Sequence, residues 1–486
     1  VQPLLPGCSF KAKDIPCEST RFTRKLFDWS DWDQSIVWTH ANCVHNETIA
    51  LSQRHQVDDG SRFNKAVFPE FMEKLMRLKK DCEPISKLAQ ASRYSGAKKR
   101  LALDAIEDLK VNALDIFKDS KVRMFIKDDK YHTPEVKPGR SIQFRSKRYA
   151  ITLAQFTTPL EEKIFSHREG GIRVFAKGQN LQQRAETLRQ MWDNYVNPVA
   201  WNLDHSKFDA HVSRELILAE TKLYGECYEN SGHKNYVKNL MRAQMINRGS
   251  TMNGTKFKTV ATRMSGDQNT GLGNSVLNYA MISCVLKWCG VRANMYIDGD
   301  DSVVVMDQCD RNKVDAKLFG HFGMVTKSEF VDQFEHIDFC QTRPVWNGLE
   351  YILCRNPDRI LSRINWLVRK QPSSIDSVYL KSVFLCESAL NEGLPVMGPL
   401  FSRLASSIQT RKNKLMDVET DYQVKLLNKV KGRVYERECT YESRVSFEEA
   451  WGICPERQLE LESMYTLSPA DPVPLFYDLF PRTMEM

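Results

Sequence analysis

The sequence predicts an α+β fold in which an antiparallel sheet packs on helices. The stretch "ANMYIDGDDSVVVMD" (293–307) sets apolar runs on either side of an acidic, glycine-containing turn, as a hairpin of strands does. Residues 270–288 have helical spacing, with Leu277, Met281, Val285 and Trp288 on one face. Between 118 and 148, short apolar runs alternate with breaks at Pro134 and Pro138-Gly139, which reads as strands.

A chain of 486 residues, 42% apolar and 27% charged, can bury a sizeable core as two or three domains or as one subdivided fold. Along it, residues 1–60 read as irregular and packed against something else, and 69–109 as helical. The strip 118–148 follows, then a helix over 181–195 ended near Pro198. "VAWNLDHSKFDAHVS" (199–213) reads as a strand running into a turn, 214–247 as helices, and 256–264 as a strand pair. After the helix 270–288 and the hairpin come "FCQTRPV" (339–345) and the extended "YILCRN" (351–356); from about 358 the chain is mainly helical, with 411–438 suited to a solvated helix.

Lys and Arg number 69 against 61 Asp and Glu, a net charge of +8 that weakly favours a polyanionic partner. Location sharpens this, because Lys118 to Arg148 carries ten basic residues against four acidic ones. The 13 cysteines include no CxxC pair, and no secretory signal opens the chain, so a reduced, intracellular setting is expected. His40, Cys43 and His45 with Cys8 and Cys17 match no standard zinc spacing and read as ordinary core and surface residues. The most apolar long segment, 274–291, is too short and polar to cross a bilayer, so no transmembrane helix is expected.

The acidic turn carries the chemistry. Two carboxylates about 4 Å apart repel by about 4 kcal/mol at an effective dielectric near 20, so in a cleft they need a cation. "WNLDHSKFDAH" adds Asp204 at the end of a strand and Asp209 five residues on. If the two strands are neighbours, Asp204 faces Asp300 and Asp301, and three hard-oxygen donors suit a pair of Mg²⁺ ions of the kind that assists in-line phosphoryl displacement. Between these elements, Ser265-Gly266 reads as a flexible loop, while Thr270, Asn274 and Asn278 draw a polar stripe able to hydrogen-bond a ribose hydroxyl.

In this order, "DHSKFD", "SGDQNTGLGN" and "YIDGDD" resemble motifs A, B and C of the RNA-dependent RNA polymerases of positive-strand viruses, and most of all the tombusvirus-like group. "YSGAKKRLALDAIEDL" (94–109), "VRMFIKDDK", "GRSIQFR" and "IDFCQTRPV" extend the resemblance over about 94–360. It implies a right-hand polymerase of fingers, palm and thumb: 1–195 as N-terminal region and fingers, 196–213 as palm, 214–255 as a fingers insertion, 256–357 as palm and 358–486 as thumb. Asp204 and Asp300 would be the principal metal ligands with Asp301 assisting, for two Mg²⁺ ions with Mn²⁺ able to substitute. Asp209, Ser265, Gly266, Thr270 and Asn274 would read the ribose; Lys127 and Arg140 would meet the triphosphate, with Arg145 or Arg148 nearby.

Lys327 in "VTKSEF" resembles the motif D lysine that protonates leaving pyrophosphate. Cys340 and Gln341 in "FCQ" resemble motif E, which grips the growing strand; Lys98, Lys99 and Arg100 would contact template phosphates, and Arg148 would also bind RNA. "KDDK" and "GRSIQFR" depart from the family's usual wording. The implied partners are template and product RNA, NTPs and a viral or host membrane-anchored replication partner, at membrane-associated replication complexes in the host cytoplasm. An inactive RNA-binding scaffold would have lost a carboxylate or the ribose-reading loop, and neither is lost; a two-metal nuclease would add ligands near Asp204, where only His205 stands.

Overall fold

Alternation along Pro198–His205 sends Val199, Trp201 and Leu203 to one core and Ala200 to another. This strand is central because both its edges are paired: antiparallel with Asp301–Asp307 on one side and with Thr326–Val331 on the other. Ala293–Asp298 completes a four-stranded sheet in the order 293–298, 301–307, 198–205, 326–331. Consecutive Val303, Val304 and Val305 are all fully buried, the composition of a strand covered on both faces. One face packs on Thr270–Cys289, a helix buried nearly all round, and on Arg214–Glu226. The other meets Leu181–Asp193 through Ala185, Leu188 and Met191; a reciprocal capping box between Asn180 and Gln183 fixes where that helix starts.

The computed structural model describes residues 4–13, 21, 23–28, 36–132, 137–368, 372–408, 433–463 and 468–469. Beside the first sheet stands a five-stranded one, in the order Ser9–Lys11, Lys256–Val260, Ile246–Thr251, Val122–Ile126, Ser141–Phe144. Its inner face, with Val122, Met124, Ile126 and Phe257, packs on Ala50, Leu51 and Met264. A third core joins the hairpin Thr342–Trp346 and Tyr351–Arg355 to the helices Asp376–Leu390, Met397–Ser407 and Tyr441–Trp451. The N-terminal strand Arg24–Lys25 pairs with Trp366–Leu367, and Arg24 grips Asp376 bidentately at 2.6 and 2.8 Å.

Several elements differ from the sequence reading. Residues 1–60 are not wholly irregular: Ser9–Lys11 adds an edge strand, and Val44–Ala50 is a helix whose Ala50 is fully buried. The strand pair comprises 246–251 and 256–260 rather than 256–264, and it belongs to the five-stranded sheet rather than to the sheet of the acidic hairpin. Polar Asn247, Arg248 and Ser250 hid its first strand, one of whose two partners, Val122–Ile126, comes from a distant segment. Pro134, and most of the stretch 411–438, lie outside the described residues.

Candidate functional site

Strand register aligns four chemically active side chains in one row. Asp298 stands opposite Asp301, Asp301 opposite Asp204, and Asp204 opposite Lys327. Side-chain period two puts them on the same face as Tyr296, Val303, Ala200 and Val331, which form one core cluster. The row therefore begins where that apolar layer stops. Directly opposed residues hold their Cβ atoms about 5 Å apart, so the carboxylates crowd one another. Asp301, rather than Asp300, is the register neighbour of Asp204, and Asp300 occupies the tip of the hairpin.

The tip is a two-residue turn of Gly299 and Asp300. Gly299 has φ +71 and Asp300 is not in the left-handed region, the pattern of a type II′ turn, in which glycine takes the first central position. The long helix clamps this turn: Ser275 Oγ accepts from Gly299 N at 2.9 Å, and Asn278 Nδ2 donates to Gly299 O at 3.2 Å and to Asp300 O at 3.3 Å. Asn278 Oδ1 faces His205 Nε2 at 3.1 Å, and His205 Nδ1 lies 2.8 Å from Thr326 Oγ1. Burial pushes the His205 pKa down to about 4, so the ring is neutral, with Nε2–H donating to the amide oxygen. His205 thus links two strands and a helix, with both ring nitrogens engaged by protein groups.

Asp204, Asp300 and Asp301 are exposed to solvent, and surrounding protein partly desolvates Asp300 and Asp301. Partial burial, then Asp300 and Asp298, push the Asp301 carboxyl up to about 7 against a hydrogen bond with the Cys340 thiol. Burial also raises Asp300, opposed by its own backbone N–H and by nearby Arg140. Asp298, which the sequence left without a role, pairs with Lys177 at 2.7 Å and Arg184 at 2.8 Å. Its charge is balanced within the protein, whereas no described residue forms an ion pair with Asp204, Asp300 or Asp301.

The donor set fits hard divalent cations: three crowded carboxylates, two of them held above their usual range by burial and mutual repulsion. Among the described residues no three His, Cys, Asp or Glu side chains already close into a ligand cage. Asp204, Asp300 and Asp301 are the residues that would hold such ions. Cys340 reaches the row because Phe339 and Thr342 pair across a tight turn whose central residues, Cys340 and Gln341, have φ +54 and +60. Such backbone costs about 1 kcal/mol or more per non-glycine residue and is tolerated where the fold over-determines it.

Beside the row lies a buried polar chain. Glu220 accepts from Arg263 Nη2 at 2.5 Å and from Asn269 Nδ2 at 2.7 Å; Arg263 Nε donates to Asn274 Oδ1 at 3.1 Å, and Asn274 Nδ2 to Asp209 Oδ1 at 2.8 Å. Asp209 and Asn274 are thus brought together as the resemblance implies. Burial lifts Asp209 to about 6. Of the expected stripe, Asn278 is spent on the hairpin turn, and Thr270 Oγ1 donates to Met264 O at 2.9 Å. Ser265 Oγ donates to Ser141 O at 2.9 Å and Gly266 N to Gln143 O at 2.8 Å, so this loop docks on the edge of the five-stranded sheet. A Cβ at Gly266 would sit 2.5 Å from Gln143 O, a close approach that only glycine permits.

The basic strip divides in two. Lys127 and Arg140, at the ends of neighbouring strands, are accessible and flank Asp129 at 3.0 and 3.7 Å, with Arg140 close enough to act on Asp300. Arg145, expected near a triphosphate, is instead a buried strut: it holds Asp267 at 2.7 and 2.9 Å, Ser120 O at 2.6 Å and Asn247 Oδ1 at 2.6 Å. Arg148, expected on RNA, is likewise occupied by Asp119, Asp108 and the carbonyls of Asn112 and Ala113. Both are occupied because the fold brings their acidic partners to them, Asp267 and Asp108 from outside the strip and Asp119 from its far end, pairings that the composition of the strip does not reveal. Lys98, Lys99 and Arg100 are exposed in the first turns of the helix Gly96–Val111, and Lys327 and Gln341 are exposed near the row.

Sequence reasoning missed Lys177, Arg184, Ser275 and the Arg263–Glu220 pair. None lies in a motif with a local signature; each matters through a contact across 24 residues or more, as for Ser275 and Gly299. Of the cysteine and histidine group near the N-terminus, His40 bonds Lys137 O at 2.9 Å, and Cys17 lies outside the described residues. No helix among the described residues is long and apolar enough to cross a membrane.

A family model described as "Viral RNA dependent RNA polymerase" matches residues 23–469. The chain is 34% identical over 390 residues to the RNA-directed RNA polymerase of Tobacco necrosis virus (strain A), covering 76% of this chain and 52% of that protein. It is 33% identical over 402 residues to that of Oat chlorotic stunt virus (isolate United Kingdom), again 76% and 52%. The putative RNA-directed RNA polymerase of Barley yellow dwarf virus (isolate PAV) is 27% identical over 453 residues, 87% of this chain and 50% of that protein. The chain spans about half the length of the curated relatives it matches. With its acidic row, clamped hairpin and Asp209–Asn274 pair in the order of the three motifs, the chain belongs to the family of viral RNA-dependent RNA polymerases.

Proposed function

We propose that this protein copies a positive-strand viral RNA genome, extending an RNA 3′-hydroxyl with NTPs on an RNA template. The observation that carries the reading is the row of Asp301, Asp204 and Lys327 beside Asp300. In the reaction, O3′ passes its proton to water and attacks the α-phosphorus, the O3′–P bond forms, the bond to the bridging oxygen breaks, and pyrophosphate leaves. Two Mg²⁺ or Mn²⁺ ions held by Asp204, Asp300 and Asp301 would supply charge stabilisation for the attacking and leaving oxygens. Lys327, next in the row to Asp204, donates a proton to the leaving pyrophosphate. Arg140 and Lys127 draw the triphosphate toward the hairpin, Arg through its planar fork. The Asp209–Asn274 pair reads the ribose hydroxyls, held in place by Arg263; a site built to bond a hydroxyl rejects its absence strongly.

In this reading the four-stranded sheet with its helices is the palm, the five-stranded sheet with its helices the fingers, and the helices after about 358 the thumb. Lys98, Lys99 and Arg100 contact the template, and Cys340 and Gln341 the growing strand. A viral or host partner anchors the complex at cytoplasmic membranes of the infected cell. An inactive scaffold is not favoured, since no carboxylate of the row is missing. Purified protein given an RNA template with NTPs or dNTPs, and Mg²⁺ or EDTA, tests the proposal: labelled product is expected only with NTPs and metal. Asp300→Ala should abolish incorporation and leave RNA binding intact; surviving incorporation would overturn the assignment of the hairpin.

A further inference from the structure

The outer face of the five-stranded sheet, opposite the core made by Val122 and Met124, forms an open groove of about 990 Å³. Six of the residues that line it are Lys11, Lys121, Arg123, Arg248, Lys256 and Lys258, and none forms a salt bridge with a described residue. The register opposes like charges directly: Lys11 faces Lys256, and Arg248 faces Lys258. Such cross-strand pairs destabilise a sheet, so this arrangement stands only at a cost that a bound polyanion would offset. Phe117, 65% exposed, lies 5.7 Å from the Lys121 ammonium and 5.8 Å from the Arg248 guanidinium, an aromatic platform among cations.

We infer that this groove binds a strand of single-stranded RNA outside the catalytic cleft, its phosphates on the opposed cations and a base on Phe117. Cations that track a backbone, with an aromatic face for stacking, are the chemistry of sequence-tolerant single-strand binding. The concave shape favours a strand over a membrane surface. The groove also includes Lys147, which lies near Lys98 at the exposed start of the helix Gly96–Val111, so a strand in the groove can reach that basic turn.

The inference rests on the polymerase reading, and the test separates the two. With the cleft filled by a template–primer stalled after one incorporated chain terminator, a labelled oligouridylate is titrated onto wild type and onto Arg248→Ala/Lys256→Ala/Lys258→Ala. Failure to incorporate would sink the polymerase reading alone. Each lost phosphate contact lowers the log–log salt slope by about 0.7, so the variant should lose about 2 and bind about 100-fold more weakly at 0.1 M salt. Equal slope and affinity would overturn the groove. Cross-linking of 4-thiouridine RNA to unmodified protein keeps the test independent of variant folding: cross-links are expected on 117–123 and 246–258, and their confinement to the residues around Lys127 and Arg140 would refute it. Vesicles of phosphatidylserine and phosphatidylcholine form the last arm; if the substitutions abolish vesicle binding and leave RNA binding unchanged, the face is a membrane surface and the inference is wrong.

Discussion

Replacing Asp209 by Asn should stabilise the protein at neutral pH while impairing its chemistry. Burial chiefly lifts this carboxyl from 3.8 to about 6, with Asn274 and Arg263 opposing and Asp300 adding. The folded state therefore binds the proton more tightly than the unfolded chain. Stability from this group is fully present below pH 3.8, declines as pH rises, and is lost above about 6. A gap of about two units at about 1.4 kcal/mol each is about 3 kcal/mol. Asn never ionises, and its Oδ1 still accepts from Asn274 Nδ2, the bond that measures 2.8 Å to the carboxylate. The other raised carboxyls titrate in both proteins and cancel in the difference. For 486 residues the unfolding entropy is about 1 kcal/mol/K, so the variant should melt about 3 °C higher at pH 7.5 and level with wild type near pH 3.5. Thermal unfolding across pH 3.5 to 8 reads this out; a difference that does not change with pH, or a less stable variant at pH 7.5, would refute the burial argument. The same protein should discriminate less between NTPs and dNTPs.

Arg263→Met strands Glu220 in a core where both side chains are at most 1% exposed, and should cost about 3–5 kcal/mol in denaturant unfolding, part of it restored by adding Glu220→Gln. Asn278→Leu removes two bonds to the hairpin turn and one to the buried His205 ring; at about 1 kcal/mol for each turn bond, incorporation should fall about 30-fold, with faster hydrogen exchange at Gly299 and melting lowered by about 3 °C. Gly266→Ala drives a Cβ to 2.5 Å from Gln143 O, and displacement of the loop should cost about 1–3 kcal/mol in stability together with most incorporation.

Local pattern made much of the site legible. Apolar runs around "DGDD" predict the hairpin, the spacing 277, 281, 285 predicts the helix found at Thr270–Cys289, and a glycine in an acidic turn marks the tip. These signals lie within a few residues of one another, where periodicity and turn chemistry act. The basic strip was legible only as a sum of charge: Lys127 and Arg140 remain accessible, whereas Arg145 and Arg148 turn inward.

The sequence by itself determined which segments form the hairpin, the central strand and the helix beside them, because those choices depend on neighbours along the chain. Only the tertiary structure decided which charges stay available. Asp298, Asp300 and Asp301 are equivalent acids in the sequence, yet Lys177 and Arg184 neutralise the first and leave the other two, because packing brings Leu181–Asp193 and the loop before it against the end of the strand. Strand register, set by the burial of both faces of the sheet, then put Asp204 beside Asp301 on one edge and Lys327 on the other.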